Sequence, residues 1–135
     1  MIIKDKILIK ALSLVFFVFL INLIAIIFHF YFIFWWFDLI MHFLGGFFVV
    51  LLALWFYFLS GYVKLKFNAS VLAIISVSLL VVFIIGLLWE VLELVIRTSN
   101  LSTPQEVLDI FSDLLLDLMG GFFSGLYFWN QYKKI

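Results

Sequence analysis

Three apolar stretches of the chain each carry acidic side chains, or an acid and a histidine, three or four residues apart. Residues at that spacing share one face of an α-helix. The sets are Asp38 with His42, Glu90 with Glu93, and Asp109 with Asp113 and Asp117. Carboxylate oxygens and imidazole nitrogens bind divalent cations, and the same groups accept and release protons. The pattern therefore predicts either a cation site or a set of proton-carrying groups.

The composition indicates that these side chains belong to a membrane protein. Of the 135 residues, 68% are hydrophobic, 21% are aromatic and only 12% are charged, which lies outside the range of soluble domains. The formal net charge of zero provides no general basic field for binding nucleic acid. The absence of cysteine excludes disulfides, thiolate nucleophiles and cysteine-based metal sites.

Four segments are long enough to cross a membrane as helices, since a hydrocarbon core about 30 Å thick requires roughly 20 helical residues. They cover about 7–30, 39–59, 71–96 and 104–130. None of them alternates polar and apolar residues with a period of two, which disfavours a β-barrel. We therefore predict an all-α integral membrane protein with a single domain, 1–135, built as a four-helix bundle.

The basic residues predict the orientation of this bundle. Seven of the eight lie at the two termini or in the second loop, which four alternating crossings place on one side, and only Arg97 lies on the other. The positive-inside rule then places both termini in the cytoplasm. With this topology seven of the eight acids lie in the outer half of the bundle. The acids were not used to assign the topology, so their shared position is an independent observation.

Buried ionised carboxylates need compensation, because a charge near the centre of a membrane helix costs roughly 2.5–3.5 kcal/mol on insertion scales. Arg97 is the only strong cation near the acids and cannot neutralise all of them. Either a cation is bound, or several carboxylates are protonated because crowding and burial favour their neutral form. For the first case we predict a metal site of His42, Glu90, Asp113 and Asp117, suited to Mg²⁺, Mn²⁺, Ca²⁺ or Zn²⁺.

A polar cluster of Asp38, Glu93, Arg97 and Asp109 surrounds this predicted site. Structural roles are also open to its members. Asp38 fits a helix N-cap, Glu93 and Arg97 are spaced for an ion pair, and Asp109 fits a solvated position.

Glycines accompany the acids on the same helices. Small residues allow membrane helices to approach one another closely. We expect close helix packing at Gly45, Gly46, Gly86, Gly120, Gly121 and Gly125.

Three motifs carry a family resemblance. They are Asp-x-x-x-His-Phe-x-Gly-Gly at 38–46, Trp-Glu-x-x-Glu at 89–93 and Asp-x-x-x-Asp-x-x-x-Asp-x-x-Gly-Gly at 109–121. In this order they resemble the YjdF-type bacterial inner-membrane proteins and, more distantly, the VanZ-like proteins. The resemblance implies a bacterial-type inner (cytoplasmic) membrane location, a shared topology and shared acidic sites. It implies no activity, although VanZ-like proteins are associated with lowered susceptibility to teicoplanin.

Our leading hypothesis is an outward-facing acidic and histidine site that binds a divalent cation together with a membrane lipid or lipid-linked envelope precursor bearing a phosphate. One alternative is a homo-oligomeric transport component in which Glu90, Asp113 and Asp117 relay protons or ions. Another is a non-catalytic envelope assembly factor whose polar cluster fixes helix packing. The pattern leaves open whether the protein is an enzyme, and a metal-activated water is the one catalytic route that it favours.

Overall fold

The computed structural model describes residues 3–63, 69–97 and 104–135. Within these ranges the regular structure is entirely helical, with no strand. The helices are α1 (Ile3–Ile27), α2 (Phe30–Ile33), α3 (Phe37–Phe58), α4 (Val71–Arg97) and α5 (Pro104–Tyr132). Three of them, α1, α3 and α4, are long and apolar enough to cross a membrane. The predicted all-helical membrane architecture is confirmed to this extent, and the fourth crossing stays a prediction.

The first helix ends earlier than the sequence predicts. His29 has a φ of 57°, in the left-handed region, and this residue separates α1 from the short α2. Few residues other than glycine adopt that conformation, but histidine does so more often than most. The predicted continuation of the helix to residue 30 is therefore wrong, because apolar character alone does not report a break in the backbone.

Aromatic side chains of α2 pack against the start of α3. The ring of Phe37 lies edge-on to the rings of Phe30 and Tyr31, with centroid distances of 5.7 and 5.1 Å. Asp38 follows in the first turn of α3, where a carboxylate interacts favourably with the helix dipole. The N-cap is Trp36, so the N-cap interpretation of Asp38 is wrong.

The bundle has two chemically different ends. α3 packs most extensively against α5, which also packs against α4, while α1 lies mainly against α3. At one end, here called the apolar end, all four long helices contribute to a buried hydrophobic core. Its members are Ile7, Ala11, Val50, Leu51, Leu54, Ile74, Val82 and Phe128. The opposite end, here called the acidic end, is defined by Asp38, Glu90 and Asp113.

Glycines bring α3 and α5 into close contact between these ends. An added Cβ at Gly46 would overlap the backbone of Asp117, and one at Gly120 would overlap the carbonyl oxygen of Phe43. These two contacts are reciprocal, since each helix supplies one glycine and one stretch of backbone. The contact surface between α3 and α5 therefore has no room for even a methyl group at either glycine.

The remaining predicted glycine contacts divide into two kinds. Gly121 and Gly125 lie close to α4, where an added Cβ would be 2.6 Å from side-chain atoms of Val82 and Ser78 respectively. Gly45 differs, because a Cβ there would meet nothing within 4 Å. Close packing is therefore a wrong prediction for Gly45. Neighbouring residues point about 100° apart around a helix, so Gly45 and Gly46 cannot both face α5.

Candidate functional site

The acidic end is organised around the imidazole of His42, which is only 7% exposed. Its Nδ1 lies 3.3 Å from Oδ2 of Asp117 on α5. Its Nε2 lies 3.9 Å from one carboxylate oxygen each of Asp38, Glu90 and Asp113. The structure thus brings together the four residues predicted as metal ligands, and it adds Asp38 from the predicted polar cluster.

The carboxylates in this group are largely withdrawn from solvent and lipid. Glu90, Asp113 and Asp117 are 5%, 2% and 6% exposed, whereas Asp38 is half-buried. Oε1 of Glu90 and Oδ1 of Asp113 are buried and have no hydrogen-bond partner in the described part of the chain. Buried polar atoms almost always have a hydrogen-bond partner or a bound ion. We therefore expect each of these two oxygens to carry a proton or to contact an ion or a water molecule.

The positive charge that His42 supplies is too small for this group. A protonated imidazole offsets one carboxylate at most, while three acids are almost fully buried beside it. Either two further positive charges or two protons must therefore accompany Glu90, Asp113 and Asp117. Arg97 is the basic residue nearest in sequence to Glu90, but its side chain lies outside the described residues. The predicted pairing of Glu93 with Arg97 therefore lies outside them as well.

Two glycines make room for Asp117. Its backbone packs against Gly46 of α3, and its carboxylate lies against Gly86 of α4, where an added Cβ would be 2.7 Å from Oδ2. In the tautomer protonated at Nδ1, His42 donates a hydrogen bond to that oxygen and directs the lone pair of Nε2 at the other acids. Metal-binding imidazoles commonly have such a second partner. The position of Asp117 therefore suits it to orient the ring, a role that the sequence did not separate from metal ligation.

The spacing around Nε2 is compatible with a cation. Two sets of three residues could each hold an ion, because the ligand atoms within each set all lie within 4.8 Å of one another. The first set is Asp38, His42 and Asp113, and the second is His42, Glu90 and Glu93. Two atoms that bind one ion at about 2.0–2.4 Å lie at most roughly 4–5 Å apart. A separation of 3.9 Å is too long for a hydrogen bond but short enough to accommodate an ion. Since both sets use His42, one ion at a time can bind its Nε2.

Asp109, the remaining member of the predicted cluster, lies apart from His42. Its side chain is exposed, and its backbone carbonyl accepts a hydrogen bond from the hydroxyl of Ser112 at 2.7 Å. A step of four residues turns by about 40° beyond a full helical turn, so Asp109, Asp113 and Asp117 progressively change direction. The solvated interpretation of Asp109 fits its exposure.

A cavity of about 330 Å³ adjoins the acidic end between α1, α3 and α4. Its polar lining comprises Asn22, Tyr31, Asp38, His42 and Asp117. The hydroxyl of Tyr31 donates a hydrogen bond to Oδ1 of Asn22 at 2.6 Å. Burial, reinforced by the carboxylates of Asp38 and Glu93, raises the pKa of Tyr31 to about 12 and keeps it neutral. Tyr31 is not among the predicted site residues, and its only signal in the sequence is that it is the sole tyrosine of the aromatic run 30–37.

Comparison with known families identifies the class of the chain. Residues 6–134 match the family model described as "Predicted membrane protein (DUF2238)". No curated protein and no solved structure matches the chain. Because the family model covers nearly the whole sequence, the chain belongs to this family of membrane proteins.

Proposed function

We propose that this DUF2238 family member holds a divalent cation between Asp38, His42 and Asp113 at the membrane surface, where the ion binds the phosphate head group of a membrane lipid. The observation that carries the proposal is the position of Nε2 of His42. It faces carboxylate oxygens from three helices at 3.9 Å, a distance at which an ion fits and a direct hydrogen bond does not.

The charge balance supports a cation in preference to a purely structural cluster. An ionised acid costs roughly 2.5–3.5 kcal/mol at the centre of a membrane helix and less towards the surface, and acids buried in membrane helices usually mark functional sites. A divalent ion bound at Nε2 leaves the imidazole of His42 neutral, so the ion offsets two of the three buried carboxylates and the third retains a proton. The ion would bind Oδ2 of Asp113, which faces Nε2 of His42, and a carboxylate that binds through both oxygens would also bring the unpartnered Oδ1 into contact with the ion.

The ligand set leaves room for a substrate. Three protein ligands with an open position are typical of metal sites that bind water or substrate, in contrast to closed structural sites. Asp38 and His42 line the cavity as well as the ligand group. A phosphate oxygen entering from the cavity would therefore reach the open position. The mixed imidazole and carboxylate set suits Mn²⁺ and Zn²⁺, with Mg²⁺ and Ca²⁺ as competitors.

The membrane orientation completes the proposal. α5 has 29 residues and packs against both α3 and α4, which supports its assignment as a fourth crossing. The distribution of basic residues favours cytoplasmic termini and an acidic end at the outer face, and the motif resemblance favours a bacterial-type inner membrane. The motif resemblance to YjdF-type and VanZ-like proteins is in keeping with a role in the cell envelope.

Metal content of defined variants tests the proposal. The full chain, in lipid nanodiscs and stripped with chelator, is equilibrated with Mn²⁺ or Zn²⁺ and measured by inductively coupled plasma mass spectrometry. We expect about one ion per chain, lost in Asp113→Asn and in His42→Gln. Both substitutions approximately preserve shape and remove ionisable groups, so the bundle should still fold.

Asp109→Asn is the matched control, because it makes the same chemical change on the same helix one turn away, at an exposed position. It should bind as much metal as the unaltered chain. Glu93→Gln should also retain the ion, since Glu93 belongs only to the second ligand set. Equal metal content in Asp113→Asn and Asp109→Asn would falsify the site.

A proton or ion relay is the second candidate function. Asp113 and Asp117 are buried one turn apart beside an imidazole, an arrangement that suits proton transfer. The apolar end opposes this function, because Val50, Leu54, Ile74 and Phe128 are fully buried there. The buried polar side chains next to them in the described part of the chain are Ser78 and Ser124, and the hydroxyl of Ser78 already donates a hydrogen bond to the carbonyl of Ile74. Flux through proteoliposomes that is sensitive to Asp117→Asn would favour a relay in a homo-oligomer. Destabilisation by Asp113→Asn in a chain that binds no metal would favour an assembly factor.

A further inference from the structure

The cavity beside the acidic end, here called the slot, is elongated along α3. Its lining includes α3 residues from Asp38 to Val49, a separation of 11 residues. At a rise of 1.5 Å per residue, this corresponds to about 16 Å along the helix axis. The volume of about 330 Å³ lies at the lower end of the range of about 300–1,000 Å³ that is usual for small-molecule sites.

The slot changes from polar to apolar along its length. Asn22, Tyr31 and Asp38 belong to the acidic end, whereas the part nearer the apolar end is lined by Val15, Val18, Phe48, Val49 and Val82. A slot that is polar at one end and apolar at the other complements an amphiphile. An alkyl chain in its apolar part would gain the contacts that an empty cavity forfeits.

Gly45 keeps the slot open. It lines the cavity, and an added Cβ there meets no atom within 4 Å. Helix packing therefore does not require glycine at this position, in contrast to the adjacent Gly46. The space in front of Gly45 is space that a ligand chain can occupy.

We propose that the slot binds one alkyl chain of a membrane lipid, that its phosphate head group lies at Asp38 and His42, and that Gly45 sets the space available to the chain. The position of the head group rests on the cation site proposed above. The position of the chain does not, because it follows from the apolar lining and from Gly45. A membrane lipid is the appropriate occupant, since the protein is embedded among such molecules and the slot adjoins helices that contact them.

Photo-crosslinking with a defined probe tests this proposal. Dodecyl phosphate carrying a diazirine at the end of its chain is added to the full protein in nanodiscs loaded with Mn²⁺, and labelled residues are mapped by peptide mass spectrometry. We expect labels at Val15, Val18 or Val49, and competition by unlabelled dodecyl phosphate but not by inorganic phosphate. Labels confined to lipid-exposed side chains such as Phe16 and Phe17 would overturn the proposal.

Substitution of Gly45 provides the decisive comparison. Gly45→Leu should reduce slot labelling by about tenfold or more, because the leucine side chain would occupy the space of several methylene groups. Gly45→Ala should cause a smaller reduction. Ala53→Leu makes a similar enlargement on the same helix outside the slot lining and should leave labelling unchanged. Labelling of a folded Gly45→Leu protein at the level of the unaltered chain overturns the proposal.

Parallel metal measurements separate this proposal from the cation site. Gly45→Leu should retain its Mn²⁺ content, because Gly45 belongs to neither ligand set. Slot labelling that depends on Gly45 in a chain without bound metal would support the chain site while refuting the cation site. Stronger slot labelling by a dodecylamine probe than by the phosphate probe would overturn the phosphate assignment.

Discussion

The two faces of α3 differ in packing although they are formed by neighbouring residues. Towards α5, Gly46 presses against the backbone of Asp117 with no room for a side chain. Towards α1 and α4, Gly45 opens onto the slot and meets nothing. His42 borders both regions, since it contacts Asp117 and also lines the slot.

The difference indicates a division of tasks between the two faces. Buried carboxylates need a fixed geometry, because a charge without a well-placed partner is costly in a medium of low dielectric. The tight contact between α3 and α5 provides that geometry. A ligand needs accessible volume, which the looser contact between α1, α3 and α4 provides. We infer that one face of α3 builds the site and the other admits what binds there.

The largest difference between the two faces of α3 should appear in the unfolding free energies of two variants, Gly46→Ala and Gly45→Ala. Gly46→Ala places a methyl group against backbone atoms of Asp117, which cannot move independently, so we expect a loss of about 3 kcal/mol in unfolding free energy. Gly45→Ala enters open space and removes a glycine from a helix interior, so it should raise the unfolding free energy by about 0.5–1 kcal/mol. Reversible unfolding in mixed micelles measures both. Similar losses in the two variants would contradict the assignment of tight and open faces.

A smaller effect is expected from the residue that orients His42. Asp117→Asn can no longer hold Nδ1 through a charged acceptor, and losses of such outer partners commonly reduce metal affinity by about 10- to 100-fold. Zn²⁺ titration against a competing chelator measures this loss. Asp109→Asn again provides the control. Complete loss of binding in Asp117→Asn, with retention in Asp113→Asn, would show that the ligand and orienting roles are reversed.

The smallest effect should arise at Tyr31, in the polar part of the slot. Tyr31→Phe removes the hydrogen bond to Asn22 and leaves the ring in place, so we expect a loss of about 1 kcal/mol in unfolding free energy. The mixed-micelle unfolding measurement applies here too. Metal content should be unchanged, because Tyr31 is in neither ligand set. A Tyr31→Phe chain that loses its ion would place the phenol within the cation site.

Two features could be predicted from the sequence for clear physical reasons: the apolar membrane helices, and the proximity of His42 to Glu90 and Asp113. Helical spacing placed Asp38 and His42 on one face, and the cost of buried charge singled out Glu90 and Asp113. Antiparallel helices then bring these positions to the same end of the bundle. Each step uses local periodicity or hydropathy, which a single sequence contains.

The roles within the group could not be predicted in this way. Asp113 and Asp117 are equivalent in a pattern of steps of four, yet one faces Nε2 of His42 and the other faces Nδ1. Their distinction depends on the rotation of α5 against α3. The slot depends likewise on the separation of α1 from α4, which hydropathy does not encode. Helical geometry predicts that Gly45 and Gly46 point about 100° apart around α3, but it does not predict which of the two faces α5.

Anomalous diffraction from crystals soaked in Zn²⁺, recorded at the zinc absorption edge, addresses the cation site directly. We predict one peak at about 2.0–2.2 Å from Nε2 of His42, with oxygens of Asp38 and Asp113 as ligands. Asp117 should remain hydrogen-bonded to Nδ1. Absence of a peak, with Nε2 hydrogen-bonded directly to one of the carboxylates, would contradict a cation at this site and favour protonated acids.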